Sequence, residues 1–168
     1  PVGSLLMLLV GVGWAKPVPV DSRYYKNPRR DMVITAMAGP LANLLMGFLF
    51  LILAQISMGY WIRGYYNGAD VDTLYYMVLI LQTIASISVS LAVFNLLPVP
   101  PLDGSRLVEY LLPRRWLMTY YRYARAINSI FLALLLFTDL FTNIIAFFTG
   151  HLLDGMYAIT AFIPELIV

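Results

Sequence analysis

Long apolar stretches separated by short polar ones set the order of elements along this chain. From about Met32 to Tyr60, from about Leu74 to Leu97 and from about Ile127 to Phe148, the sequence stays apolar. Each run exceeds the ~18 residues that a membrane-crossing helix needs. They predict three transmembrane helices. Ahead of them, VGSLLMLLVGVGW at residues 2–14 is apolar but short, and is expected to be part of a hydrophobic or re-entrant segment. Behind them, Met156–Val168 is apolar, short and interrupted by Pro164, as for a segment lying in the interface or packed on the bundle. Between Lys16 and Tyr25, KPVPVDSRYY alternates apolar residues with proline and polar ones, which favours an extended or re-entrant stretch over a helix. The pattern is that of an all-α polytopic membrane protein, one domain over residues 1–168.

Composition agrees. Hydrophobic residues make up 61% and charged residues 12%, far from the balance of a soluble domain. The absence of cysteine excludes disulfides and thiolate metal ligands. Charge adds an orientation. Lys16, Arg23, Lys26, Arg29 and Arg30 fall within residues 15–31, and Arg106, Arg114, Arg115, Arg122 and Arg125 within residues 98–126. Residues 61–73 hold Arg63 alone, beside Asp70 and Asp72. Basic loops stay in the cytoplasm, so 15–31 and 98–126 are expected there and 61–73 outside. Tyrosines and tryptophans such as Tyr60, Trp61, Tyr75 and Trp116 sit where an interfacial belt would place them. The run RRWLMTYYRYAR at 114–125 lies between membrane segments, which predicts an interfacial amphipathic helix and no nucleic-acid partner. The partner that this pattern requires is the lipid bilayer.

One stretch breaks the apolar pattern abruptly. NLLPVPPLDG, residues 95–104, follows the second run directly. Pro98, Pro100 and Pro101 remove three backbone donors, so the helix is expected to stop near Asn95. Irregular backbone at membrane depth is tolerated only where protein buries it or water reaches it. A carboxylate such as Asp103 costs roughly 2.5–3.5 kcal/mol at a helix centre and less near the interface. Two readings stand side by side: a polar functional cavity at the cytoplasmic face, or Asp103 capping a helix over 105–112 in water.

Two further features carry polar residues. In AGPLANLLMG (38–47), Gly39, Asn43 and Gly47 recur every four residues and form a stripe for close helix packing. Pro40 frees a carbonyl one turn back, and Asn43 needs a hydrogen-bond partner. The expected role of this helix is bracing rather than direct catalysis. HLLDG (151–155) sets His151 near Asp154, but both follow the third predicted span and are expected in a solvated external loop, across the bilayer from Asp103. Asp139, inside that span, is expected to make a bundle-facing hydrogen bond.

NLLPVPPLDG resembles the N-x2-P-x2-P-x-D-G signature of the site-2 protease family, the intramembrane zinc metalloproteases. GWAKPVPV (13–20) with NPRRDM (27–32) is similar to the loop after that family's catalytic helices, and AGPLANLLMG to its G-P-x-x-N helix. The three occur in the family's order over about the first two-thirds of the chain, and the closest likeness is to the compact bacterial and archaeal branch without a PDZ domain. The resemblance implies hydrolysis of peptide bonds in transmembrane protein or peptide substrates with Zn2+, in a bacterial or archaeal cell membrane. It implies Asp103 as third zinc ligand and Asn95 as oxyanion donor. It makes Gly39, Pro40, Asn43, Pro98, Pro101 and Gly104 structural supports, and Pro17, Val18, Pro19 and Val20 a strand that aligns substrate. The family's H-E-x-x-H, two histidine ligands and a glutamate base, is absent from these 168 residues; the only histidine is His151, and the only glutamates are Glu109 and Glu165. In the family that motif precedes the GWAKPVPV stretch. It is therefore expected in a missing N-terminal part, and the chain alone is expected to be inactive. The alternatives are a non-catalytic pseudoprotease that binds membrane segments, and an ion or proton pathway around Asp103 that draws on Asp139.

Overall fold

The structure, a computed structural model, describes residues 24–168. The N-terminal apolar segment and Pro17, Val18, Pro19 and Val20 lie outside the described residues, as does all of the 16–25 stretch except Tyr24 and Tyr25. Helix accounts for 85% of the described residues and no strand occurs among them, so the fold is all-α. The helices are α1 (Pro28–Tyr66), α2 (Asp72–Asn95), α3 (Gly104–Leu111), α4 (Arg114–Phe137), α5 (Leu140–Thr160) and α6 (Phe162–Ile167). Among the described residues, three stretches are long and apolar enough to cross a membrane: Pro28–Tyr66, Asp72–Asn95 and Leu140–Ile167.

α1 and α2 form the central hairpin. Pro28 opens α1 at a position where its missing N–H costs nothing. α1 buries Gly47, Leu51, Ala54 and Ser57, and α2 buries Val78, Leu81, Ala85, Val89 and Ala92 at helical spacing. Small residues set the separation. A Cβ on Gly47 would lie 2.7 Å from Val89 Cγ2 and 3.2 Å from the Ala85 carbonyl, so only glycine permits this crossing. The connecting turn contains Gly68 at φ +70°, a left-handed conformation that glycine adopts without strain. Two hydroxyls in the hairpin bond their own helix: Ser57 donates to the Leu53 carbonyl and Thr83 to that of Leu79.

α5 runs back along the hairpin. Phe148 and Leu152 lie beside Leu97 and Pro98, whereas Leu153 and Tyr157 lie beside Leu79 and Gln82. Ile167 of α6 then rests on Gly59, and Arg63 donates to the Ile167 carbonyl at 3.4 Å.

The third span is thus displaced from its expected place. The apolar run over 127–148 is cut at Thr138, which is extended (φ −140°, ψ 155°), and Asp139, which occupies the N-cap of α5. Thr138 turns its hydroxyl back to the Leu134 carbonyl and also accepts from the Leu140 N–H at 3.5 Å, so one helix ends and the next starts at this residue. Two corrections follow, and one expectation is met. Asp139 is an exposed residue at a helix junction, not a buried one within a span. His151 and Asp154 belong to α5 instead of an external loop, and the His151 ring bonds the Phe147 carbonyl at 2.8 Å. The C-terminal stretch completes the third span and packs on α1, the second of its two expected forms.

Candidate active site

The residues after α2 build the site. The last N–H groups of α2 and its cap bond backward in the usual way, Leu96 to the Ala92 carbonyl at 3.0 Å and Leu97 to that of Phe94 at 3.1 Å. Pro98 then prevents a further turn. Tight turns replace the helix: Val99 N–H bonds the Leu97 carbonyl at 2.8 Å, and Leu102 N–H that of Val99 at 2.9 Å. The chain folds back until Gly104 lies on the end of α2. A Cβ there would sit 2.2 Å from the Leu96 carbonyl oxygen and 2.5 Å from that of Leu97, both backbone atoms that cannot move aside. Asn95 and Asp103 are each one residue from this contact.

Asp103 does not cap α3. It holds the N-cap position with helical dihedrals (φ −60°, ψ −35°), and its side chain makes no capping hydrogen bond. Its Oδ2 points at α1 instead, 3.3 Å from where a Cβ on Gly39 would be. The G-P-x-x-N and L-D-G motifs, 64 residues apart, therefore meet in space. Gly39 lacks a side chain at that point, so nothing on α1 fills the space in front of the carboxylate. Asp103 is half-buried and forms no hydrogen bond or ion pair among the described residues. Asn95 and Asn43 are half-buried and likewise have no hydrogen bond there.

The depth of the site follows from α1. Trp61, Tyr65, Tyr66, Tyr75 and Tyr76 form a cluster of stacked and edge-on rings at one end of the hairpin. Such a belt marks a membrane interface. Hydrocarbon about 30 Å thick, at about 1.5 Å per residue, places the opposite boundary some 20 residues earlier. That is the level of Pro40. Asp103 accordingly lies at the far edge of the apolar layer.

The site rests on contacts that have no local sequence signal. Arg29, at the start of α1, donates to the carbonyls of Glu109 and Leu112 and so satisfies the end of α3. Its guanidinium also lies 5.9 Å from the centre of the Tyr110 ring. Glu109 pairs with Arg106 at 3.0 Å and accepts from the Tyr121 hydroxyl at 2.9 Å, which ties α3 to α4. Burial first, then the Glu109 hydrogen bond, holds the Tyr121 hydroxyl above its ordinary pKa of 10.0; burial and the Glu109 charge do the same for Tyr120. Sequence reasoning counted Arg29 only as a loop cation, because its partners lie 80 and 83 residues away.

Donor chemistry can be tested against a metal. Asp103 offers a carboxylate free to bind, which fits one ligand position. No group of three His, Cys, Asp or Glu side chains occurs among the described residues, so they do not complete a coordination set.

Comparison with known proteins converges on the same stretch. The model of peptidase family M50 matches residues 62–138, which contain both Asn95 and Asp103. The chain belongs to peptidase family M50. A Bacillus subtilis protein described as "Putative zinc metalloprotease YwhC" is 36% identical over 116 residues, covering 67% of this chain and 49% of that relative. A Methanocaldococcus jannaschii protein described as "Putative zinc metalloprotease MJ0611" is 31% identical over 116 residues, covering 65% of this chain and 50% of that relative. The chain therefore spans about half the length of the curated relatives that it matches. No solved structure matches it.

Proposed function

We propose that this M50 chain is part of an intramembrane zinc metalloprotease that hydrolyses peptide bonds of transmembrane substrates, with Asp103 as a zinc ligand and Asn95 as the oxyanion donor. The observation that carries the reading is the direction of Asp103: its carboxylate makes no capping bond to α3, whose first N–H groups bond backbone carbonyls instead, and it faces the bare backbone at Gly39. A capping aspartate would do the opposite. When bound, zinc supplies a Lewis acid that polarises a peptide carbonyl and acidifies water. The remaining ligands and the general base would come from polypeptide outside these 168 residues, since the sequence holds a single histidine, in α5.

The chain's own residues divide the remaining work. Asp103 holds one coordination position, and Gly104 fixes that position by resting on the Leu96 and Leu97 carbonyls. Asn95 ends α2 beside the same contact, where its amide N–H would donate to the substrate carbonyl oxygen as negative charge gathers there. As a neutral donor it does so without competing for the metal. Pro98 and Pro101 keep the backbone out of helix so that the loop can turn back. Pro17, Val18, Pro19 and Val20 would present an extended edge on which an unwound substrate adds as a strand. With the basic loops in the cytoplasm, the site would open to the cytoplasmic side of a bacterial or archaeal cell membrane.

The test uses the zinc-loaded full-length protein in detergent or liposomes. Asp103→Ala should remove bound zinc and reduce cleavage of a helical reporter to background, with helical content unchanged. Asn95→Ala should keep zinc and lower kcat by about 10²–10³-fold. If Asp103→Ala retains both zinc and cleavage, the ligand assignment fails. Wild-type protein that binds reporter segments without cutting them would establish the non-catalytic alternative.

A further inference from the structure

α4 has no place in the proposed chemistry, yet its charges are arranged in order. It carries Arg114, Arg115, Arg122 and Arg125 and no acidic residue over 24 positions. At 3.6 residues per turn, all four arginines project within an arc of roughly 100°. The opposite side packs on the bundle: Leu117, Tyr120 and Ala124 are half-buried, and Phe131 is buried against Phe94 and Phe141. The arginine face points away from the protein. Among the described residues, none of the four guanidiniums has a carboxylate or carbonyl partner. The one carboxylate tied to this wall, Glu109, is already engaged by Arg106 and Tyr121.

The same face changes character along the helix. Arg122, Arg125 and Ser129 border an open hollow of about 730 Å³, which Tyr121 also lines. One and two turns further on, in the same arc, come Leu132 and Leu136, which are 51% and 68% exposed. Cations and a hydroxyl thus give way to bare aliphatic surface within a few residues. An inorganic anion would use only the first part of this surface. A diacyl phospholipid matches all of it.

We infer that the outer face of α4 is a binding site for an anionic phospholipid, with the headgroup phosphate held by Arg122, Arg125 and Ser129 and the acyl chains lying along Leu132 and Leu136. Guanidiniums suit the phosphate because they donate in pairs to neighbouring oxygens. An anionic headgroup is favoured over a zwitterionic one because the stripe is uniformly positive. The site is independent of the peptidase reading.

The test measures association of spin-labelled phosphatidylglycerol and phosphatidylcholine with the full-length protein in phosphatidylcholine nanodiscs. Wild type should prefer phosphatidylglycerol, and each guanidinium removed should lower that preference about five-fold. R122Q/R125Q should approach parity, whereas R122K/R125K, which keeps both charges, should retain most of the preference and Arg63→Gln, on a different helix, all of it. L132S/L136S should weaken both lipids together. The inference is overturned if R122Q/R125Q keeps the wild-type preference, or if millimolar inorganic phosphate displaces the labelled lipid as effectively as unlabelled phosphatidylglycerol does. Should the glutamine variant lose helix, R122K/R125K and the phosphate competition still decide the matter.

Discussion

Gly104 bears the tightest constraint at the residue scale. A methyl group there meets two backbone carbonyls, neither of which can swing aside as a side chain would. Gly104→Ala should therefore cost about 3 kcal/mol, at the upper end of ordinary overpacking, and shows as a lowered thermal midpoint in detergent. Gly39 differs: a Cβ there would meet the Asp103 carboxylate at 3.3 Å, which a small shift relieves. Tyr121 gives the pH dependence. Its folded-state pKa is raised, so the folded chain keeps a proton that the unfolded chain loses near pH 10. That contribution is intact below pH 10 and is lost as pH climbs through the folded value. Tyr121→Phe should flatten the alkaline fall of the melting temperature while giving up one Glu109 hydrogen bond at neutral pH. The special character of Asp103 and Gly104 was legible in the sequence, because three prolines around an acid and a glycine are a local signal. The approach of Asp103 to Gly39 was not, since it arises from folding 64 residues back on themselves.

Among the elements, α3 depends most on a distant hook. Eight residues form too short a helix to persist alone. Arg29 satisfies its terminal carbonyls from the start of α1. Arg29→Ala should free them and cost about 1–2 kcal/mol, since the acceptors are solvent-exposed and water replaces part of the bond. Arg29→Lys should recover less than half, because one ammonium cannot span both carbonyls as the guanidinium fork does. Hydrogen exchange at the amides of residues 108–112 distinguishes local fraying from global loss. α1 and α2 were readable because long apolar runs with buried small residues specify a close-packed hairpin by themselves. The α4–α5 boundary was misplaced because hydropathy is continuous across Thr138–Asp139, whereas the break lies in the extended backbone and the hydroxyl bonds of Thr138. The cue was present as adjacent polar residues, Thr138 and Asp139, and the apolar average concealed it.

At the scale of the molecule, the three spans among the described residues put the turn at 67–71 and the segment at 98–113 on opposite sides. The chain contains no cysteine, so single cysteines at Asn67 and Pro113 give an unambiguous readout. In sealed, oriented vesicles a membrane-impermeant maleimide should label the two positions from opposite sides, with Pro113 on the cytoplasmic one; labelling of both from one side would refute the arrangement. Class, number of spans and family were all legible from composition and three short motifs. The path of the last third was not, because it depends on which end of α1 receives the C-terminal helix. That end is fixed by Ile167 on Gly59 and by Arg63, about 30 Å along α1 from Gly39 at 1.5 Å per residue. A fluorescent protein or phosphatase fused after Val168 would consequently emerge in the compartment opposite the one that Asp103 borders, and its activity would report sidedness without touching the acid.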